Sequence, residues 1–252
     1  MKKYIIANWK MNDTHPTAVQ YVSILKNKKK LLKKENVVLS PPHTMLADVA
    51  RDIKGISISI SAQDVFPEKE GAYTGEICAS LLKKAGATYV IIGHSERRHK
   101  LGETDAEIAE KVHTTLNEKL TPILCVGETL NERNLKKTRA VLKRQLTSAF
   151  KYVKAKRRKI LIAYEPVWAI STSGSSRKIT LTEIDESMKV FKKVVESSVP
   201  KIYKSSKIHY IYGGSVNEKN AKNIFSFSSI DGVLVGGASL DIKKFQRIIE
   251  AA

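Results

Sequence analysis

The sequence has 252 residues, is 42% hydrophobic and carries a formal net charge of +19. Its longest apolar runs, such as Tyr89–Ile92, are far too short to span a bilayer, and the apolar run near the N-terminus is too brief for a signal peptide. With only two cysteines and no Cys/His cluster at metal-ligand spacing, we expect a cytoplasmic protein that has no disulfide framework and uses no metal or other cofactor.

Short apolar segments alternate along the chain with stretches of helical periodicity. The predicted strands are Tyr4–Asn8, Val37–Ser40, Ile56–Ala62, Tyr89–Gly93, Pro122–Val126, Ile160–Glu165, Ile208–Tyr212 and Gly232–Val235. No low-complexity linker interrupts them. Eight strand–helix units in succession favour a single (β/α)8 barrel domain over residues 1–252, rather than two doubly wound domains.

Helix boundaries follow from capping residues. Thr104 and Glu107 form a capping-box pattern that opens a helix running to about Lys119. Thr182 is the expected N-cap of the helix before the seventh strand, and the chain ends in an amphipathic helix. Short helices are expected near Met45–Arg51 and Glu218–Phe225.

Polar residues follow almost every predicted strand. They are Asn8 to Lys10, Gln63 and Asp64, Gly93 to Arg98, Cys125 to Glu128, Glu165, Gly213 to Ser215, and Gly236 to Ser239. Catalytic groups of a (β/α)8 barrel lie at the carboxyl ends of its strands. The sequence therefore predicts one site on this rim.

Glu165 is the candidate general base. It ends a buried strand, and Pro166 disfavours the helical region for it, so the carboxylate should stay on extended backbone. The small polar residues Ser171 to Lys178 follow and predict a mobile loop beside the acid. The alternative for Glu165 alone is a solvated carboxylate at a strand end.

His94, Lys10 and Asn8 are the candidate groups for stabilising an oxyanion. His94 begins a short turn, where the positive end of a helix would favour the neutral imidazole; the alternative is a structural histidine. Glu96 is expected to form a structural ion pair beside Arg97 and Arg98. Together with Glu165, these groups can remove a proton beside a carbonyl without a cofactor.

Glycine pairs follow the last two predicted strands, at Gly213-Gly214 and Gly236-Gly237, and Ser215 follows the first pair. Their backbone N–H groups could approach a phosphate closely, whereas the alternative is two ordinary turns. Cys125 is expected to be a small core residue because no neighbour would activate it. The set predicts an aldose–ketose isomerisation of a small phosphorylated substrate.

These residues resemble the triosephosphate isomerase family over essentially the whole chain. The resemblance rests on NWKMN at 8–12, GAYTGE at 71–76, IGHSERR at 92–98, CVGE at 125–128, AYEPVWAI at 163–170, YGGSV at 212–216 and LVGGASL at 234–240. It implies interconversion of glyceraldehyde 3-phosphate and dihydroxyacetone phosphate, with Glu165 as base, His94 as electrophile, and Lys10 and Asn8 on the substrate oxygen. It also implies a phosphate site at Ser171, Ser215, Gly236 and Gly237, and a homodimer formed through the loop Gln63–Gly75.

The sequence departs from the family at the lid that follows Glu165. The front hinge Pro166-Val167-Trp168 is intact, but Ser171 and Ser173 replace the usual glycines and the rear hinge is not recognisable. We expect slower or less complete closure, which would be measured as more methylglyoxal released per turnover than from an ordinary family member.

Lysine and arginine are concentrated in three runs: Lys26–Lys34, Lys136–Arg144 and Lys151–Lys159. These runs contain no interleaved aromatic residues and no nucleic-acid motif. Solvated helix faces are therefore favoured over a polyanion surface, and neither a nucleic-acid nor a membrane partner is expected. Two competing functions remain open. One is a barrel with a weakened site that binds polyanions, and the other is a phosphate-binding isomerase of a larger sugar.

Overall fold

A closed parallel barrel forms the centre of the molecule in a computed structural model that describes residues 2–12, 15–153, 159–170, 179–200 and 208–252. Its strands are β1 (Tyr4–Asn8), β2 (Asn36–Ser40), β3 (Ile58–Ala62), β4 (Tyr89–Ile92), β5 (Thr121–Val126), β6 (Ile160–Tyr164), β7 (Ile208–Tyr212) and β8 (Gly232–Val235). Neighbours in sequence pair in register, and β1 closes the sheet against β8. The predicted (β/α)8 barrel is confirmed.

The predicted strands match the observed ones to within two residues at each end. The sequence placed Gly93 and Glu165 inside strands, and each lies one residue beyond its strand. Gly93 leaves β4 because its φ is +68°, a region that glycine enters without steric cost. Glu165 still donates its N–H to the Val126 carbonyl at 2.8 Å, so its backbone continues the line of β6.

The helices lie between the strands. They are α1 (His15–Lys26), α2 (Lys29–Leu32), α3 (Leu46–Asp52), α4 (Ala79–Lys84), α5 (Ser95–Lys100), α6 (Asp105–Asn117), α7 (Leu130–Asn134), α8 (Thr138–Ala149), α9 (Leu181–Ser198), α10 (Ala221–Phe225) and α11 (Ile242–Glu250). None of the helices in the described ranges is long and apolar enough to cross a membrane.

Side-chain caps fix the first residues of α6 and α9. Thr104 caps α6 in the predicted capping box with Glu107. The prediction for α9 was wrong, because its N-cap is Thr180 and Thr182 lies in the first turn. Thr180 accepts the backbone N–H of Glu183, whose carboxylate accepts the Thr180 N–H in return. This reciprocal pair of hydrogen bonds requires the threonine to stand three residues before the glutamate. Thr180 stands three residues before Glu183, whereas Thr182 is adjacent to it.

The hydrophobic core has two layers separated by the barrel wall. Residues such as Tyr4 and Ile6 belong to a cluster inside the barrel, whereas Ile5 and Ala7 belong to the cluster between the strands and the helices. This alternation is the two-residue period of a strand that is buried on both faces. The wall is therefore rigid, and side chains just beyond the strand ends are carried on a fixed frame.

Candidate active site

Glu165 is a buried carboxylate with one partnered and one unpartnered oxygen. Its side chain is 2% exposed. Oε2 accepts the backbone N–H of Ser95 at 2.8 Å, whereas Oε1 has no hydrogen-bond partner among the described residues. The solvated strand-end alternative is therefore wrong. A buried oxygen without a donor is costly unless another group, such as a substrate, completes it.

His94 faces this carboxylate from the end of β4. It is the N-cap of α5, and its Nδ1 accepts the backbone N–H of Glu96 at 3.2 Å. A ring nitrogen that accepts carries no proton, so the neutral ring has its proton on Nε2. That nitrogen lies 3.2 Å from Glu165 Oε1. The capping bond thus sets the imidazole tautomer and leaves the N–H on the nitrogen that lies beside the carboxylate oxygen without a hydrogen-bond partner.

Lys10 lies at the end of β1 in an unusual backbone conformation. Its φ is +54°, which costs a residue with a side chain about 1–2 kcal/mol. Two side chains hold this backbone in place: Asn8 Oδ1 accepts the Lys10 N–H at 3.0 Å, and Gln63 Nε2 donates to the Lys10 carbonyl at 3.0 Å. Strain that is held by its surroundings is typical of functional sites.

Glu96 forms a structural ion pair, as the sequence predicts. Lys10 Nζ donates to its Oε1 at 2.8 Å. The neighbouring arginines point elsewhere, since Arg97 binds Asp64 and Glu103, and Arg98 binds Asp105. The sequence did not indicate Lys10 as a partner of Glu96. Successive residues of a helix lie about 100° apart around its axis, so they reach different neighbours.

The loops that follow β7 and β8 lie close to Glu165 and Lys10, and glycine stands at the points of contact. A Cβ at Gly213 would lie 2.9 Å from Glu165 Cγ, and one at Gly236 would lie 3.4 Å from Lys10 Cε. Ser239 fixes the second loop, because its hydroxyl donates to the Gly236 carbonyl at 2.7 Å. Any side chain at position 213 would therefore displace the carboxylate.

The predicted phosphate-binding residues fall in these loops. Gly237 begins the 3-10 turn Gly237–Leu240, and a Cβ there would meet no atom within 4 Å, so open space lies in front of it. Ser215 is half-buried, and its carbonyl accepts from Asn220 Nδ2 at 3.0 Å. Ser171 and the rest of the lid to Lys178 lie outside the described residues.

Glu128 anchors the segment that leads into the lid. This fully buried carboxylate accepts from Tyr164 Oη at 3.0 Å and from Trp168 Nε1 at 3.2 Å. Burial raises the pKa of Glu128, and the Trp168 and Tyr164 hydrogen bonds oppose that rise. The guanidinium of Arg133 stacks 4.4 Å from the Trp168 ring. The front hinge therefore begins from a packed, hydrogen-bonded base.

Cys125 is a core residue, as the sequence predicts. It is fully buried in the interior cluster of the barrel. Burial, reinforced by the neighbouring Glu165 carboxylate, raises the pKa of its thiol well above the usual range. A thiol in such surroundings is not a nucleophile at neutral pH. Among the described residues, no group of three or more His, Cys, Asp or Glu side chains could hold a metal ion.

The structure brings Asn8, Lys10, His94 and Glu165 together with the loop of Gly236. Sequence reasoning missed two supports of this set: the Gln63 amide that holds Lys10, and the Ser95 N–H that holds Glu165. Both residues were noted only as members of strand ends. Backbone N–H donors, and side-chain amides that hold a neighbouring loop, leave no pattern in a sequence. The available signal was that Gln63 and Ser95 follow predicted strands.

Comparison with known proteins places these residues in a family. The family described as "Triosephosphate isomerase" matches residues 3–252. Relatives named triosephosphate isomerase include those of Endomicrobium trichonymphae (38% identity), Caldanaerobacter subterraneus subsp. tengcongensis (43%) and Thermoanaerobacter pseudethanolicus (43%). Each alignment covers 99% of this chain and 99% of the relative. The chain therefore belongs to the triosephosphate isomerase family.

Proposed function

We propose that this chain is an intramolecular isomerase that interconverts D-glyceraldehyde 3-phosphate and dihydroxyacetone phosphate in the cytoplasm, in glycolysis and gluconeogenesis. The observation that carries the proposal is the buried Glu165 carboxylate, whose Oε1 has no hydrogen-bond partner among the described residues and lies 3.2 Å from His94 Nε2. A base and an N–H donor that lie side by side suit proton removal beside a carbonyl.

The reaction runs through an enediolate. Glu165 takes a proton from the carbon next to the substrate carbonyl, and the electron pair of that C–H bond moves towards the carbonyl oxygen. The Nε2–H of His94 and the ammonium of Lys10 stabilise the negative charge that develops there. Glu165 then returns a proton to the former carbonyl carbon. The hydroxyl proton of the neighbouring carbon moves to the former carbonyl oxygen, so the C=O bond of the product forms on that neighbouring carbon. No net oxidation occurs, so the reaction needs no cofactor.

The phosphate of the triose would bind at Ser215, Gly236, Gly237 and the lid residue Ser171. Support comes from the open space in front of Gly237 and from the contact between the Gly236 loop and Lys10. Asn8 would act on the substrate oxygen with Lys10, whose backbone its side chain already holds. Fixing the phosphate in this way orients the reacting carbons against Glu165.

The test is a coupled assay of triose isomerisation with Glu165→Gln as the variant. The amide keeps the shape of the side chain, and its oxygen can still accept from the Ser95 N–H, so folding should be preserved. Loss of the base should lower kcat by about 10²–10⁴-fold. Unmodified protein without turnover would overturn the proposal and leave the polyanion-binding barrel in its place.

The same proposal includes a homodimer in which the loop Gln63–Gly75 enters the partner's site. Its support is exposed apolar surface near the rim, where Met11 is 97% and Tyr73 is 45% exposed. Thr74→Arg would place a charge at the loop tip. Sedimentation velocity should show a dimer for the unmodified chain and monomer for this variant, and a monomer in both would contradict the assembly.

A further inference from the structure

One part of the surface carries exposed cations from three chain segments and has no role in the proposed reaction. The segment Lys26–Lys34 contains six lysines and no acidic residue. It joins α1 to β2, and α2 within it packs against α1 and α11. We call the result the basic face, and its exposed cations are Lys2, Lys26, Lys28, Lys29, Lys30, Lys33, Lys34 and Arg247.

Contacts at the base of the barrel hold these segments together. Lys2 Nζ donates to the Lys33 carbonyl, and Asn36 Nδ2 donates to the Lys2 carbonyl at 3.4 Å. The buried Leu32 anchors α2, so the lysines around it stand on an ordered turn rather than on a free tail. The charges are therefore presented together on a fixed surface.

Little negative charge neutralises the basic face. None of its cations takes part in an ion pair within the described ranges of the chain. The acids next to its segments in the sequence are Glu35 and Glu250. Glu35 accepts the Lys3 backbone N–H and stays charged, but the eight exposed cations outnumber these two acids. The field of the face remains strongly positive.

The wall formed by α8 and α9, which lie next to β5 and β6 in the chain, shows the difference. It also exposes lysines, among them Lys143, Lys189 and Lys193, but α9 exposes Glu186 and Glu196 on either side of Lys189 and Lys193. Lys189 pairs with Asp185 at 2.6 Å. The sequence favoured solvated helix faces over a polyanion surface for all of the lysine runs. The structure separates them, because the charge on the α8–α9 wall is mixed and the charge on the basic face is not.

We propose that the basic face binds the phosphate backbone of double-stranded nucleic acid without sequence preference. Its cations are almost all lysines, which act on phosphates as point charges. Val19, on α1, is the only exposed large hydrophobic residue of the three helices among the described positions, so the face lacks the apolar anchors of a membrane-binding helix. It also lacks the exposed aromatic side chains on which single-stranded bases would stack.

This binding would leave the proposed active site free. The segment Lys26–Lys34 precedes β2, at the amino ends of the strands, whereas Lys10 and Glu165 follow strands at their carboxyl ends. A five-residue strand separates the two ends by about 16 Å. Nucleic-acid binding and catalysis can therefore be measured independently, and loss of one does not imply loss of the other.

The experiment compares two variants that each lose four positive charges. The test variant is K28Q/K29Q/K30Q/K33Q on the basic face, and the matched control is K137Q/K143Q/K189Q/K193Q on the α8–α9 wall. Fluorescence anisotropy with a labelled DNA duplex of about 20 base pairs gives the affinity between about 20 and 200 mM salt. Triose isomerase activity checks that both variants fold.

The unmodified chain should bind with an affinity that falls steeply as salt rises. The test variant should lose up to about 3.6 units of the slope of log K against log salt, from about 0.9 for each phosphate contact, and at least tenfold in affinity at low salt. The control should stay within about threefold of the unmodified chain. Equal losses in both variants, no binding to the duplex, or binding only to vesicles of anionic lipid would each overturn the proposal.

Discussion

The two ends of the barrel treat their ionisable groups in opposite ways. At the amino end, Lys159 Nζ donates to Tyr89 Oη at 2.7 Å and lies over the rings of Tyr4 and Tyr89. The His209 ring packs at a tilt against Tyr4, with 4.7 Å between the ring centroids, and Asp231 accepts the Tyr210 N–H at 2.9 Å. At the carboxyl end, Glu165 keeps an oxygen without a partner among the described residues. The ionisable groups at the amino end contact one another, whereas a buried carboxylate oxygen at the carboxyl end has no hydrogen-bond partner among the described residues.

The difference shows that contacts that stabilise the fold and groups proposed for catalysis lie at opposite ends of one barrel. Groups at the amino end satisfy one another, so removing one should cost stability and leave catalysis unchanged. Groups at the carboxyl end include a strained lysine and a buried carboxylate, both of which are unfavourable for the folded state alone. Removing one of these should cost activity and little stability. Three substitutions test this contrast.

Lys10→Met should have the largest effect. It removes the ammonium that is proposed to stabilise the developing oxyanion, while keeping an unbranched side chain in the same space. We expect kcat to fall by about 10²–10³-fold. The free energy of unfolding should change by less than about 1 kcal/mol, because a partly exposed ion pair with Glu96 contributes little. An activity loss below tenfold would remove Lys10 from the proposed mechanism.

Lys159→Met should have an intermediate effect at the opposite end. It removes a hydrogen bond to Tyr89 and cation–π contacts with two tyrosines. From these contacts we expect a loss of about 1–2 kcal/mol in the free energy of unfolding, measured by urea denaturation. The kcat should remain unchanged. A lowered kcat at full occupancy of substrate would show that the two ends are not independent.

His209→Gln should have the smallest effect, which appears only as pH falls. Burial lowers the pKa of His209 below its usual 6.5, while Asp231 opposes that shift. The unfolded chain then binds more protons, so His209 makes stability fall as pH falls through 6.5 towards the folded pKa. The slope is at most about 1.4 kcal/mol per pH unit. Thermal melts between pH 8 and 5 should be flatter for the variant, and parallel curves would contradict this origin.

Much of the fold could be predicted from the sequence because it depends on local patterns. Buried parallel strands are continuous apolar runs, and β1, β7 and β8 were placed at their observed ends. The start of α9 was also encoded, since Thr180 and Glu183 stand at capping-box spacing. The prediction of Thr182 as N-cap failed because Thr182 was chosen as the threonine just before the apolar residues at helical spacing, without a search for a capping-box pair.

The candidate site could be predicted only in part. Residue type and position at strand ends indicated Lys10, His94 and Glu165 as one set. The pairing of Glu96 with Lys10 could not be foreseen, because the two lie 86 positions apart and the adjacent arginines offered nearer charges. The positive φ of Lys10 was equally hidden. Such features depend on how neighbouring loops meet, which a single strand–helix unit does not encode.

The most direct test of proton transfer by Glu165 is turnover in deuterium oxide, followed by NMR of the product. The account predicts deuterium at the carbon next to the product carbonyl or aldehyde, because the abstracted proton exchanges with solvent on the carboxylate before it is returned. Glu165→Gln should lose both turnover and deuterium incorporation. Turnover that persists in the variant, with a product free of deuterium, would contradict the account and point to direct hydrogen transfer within the substrate.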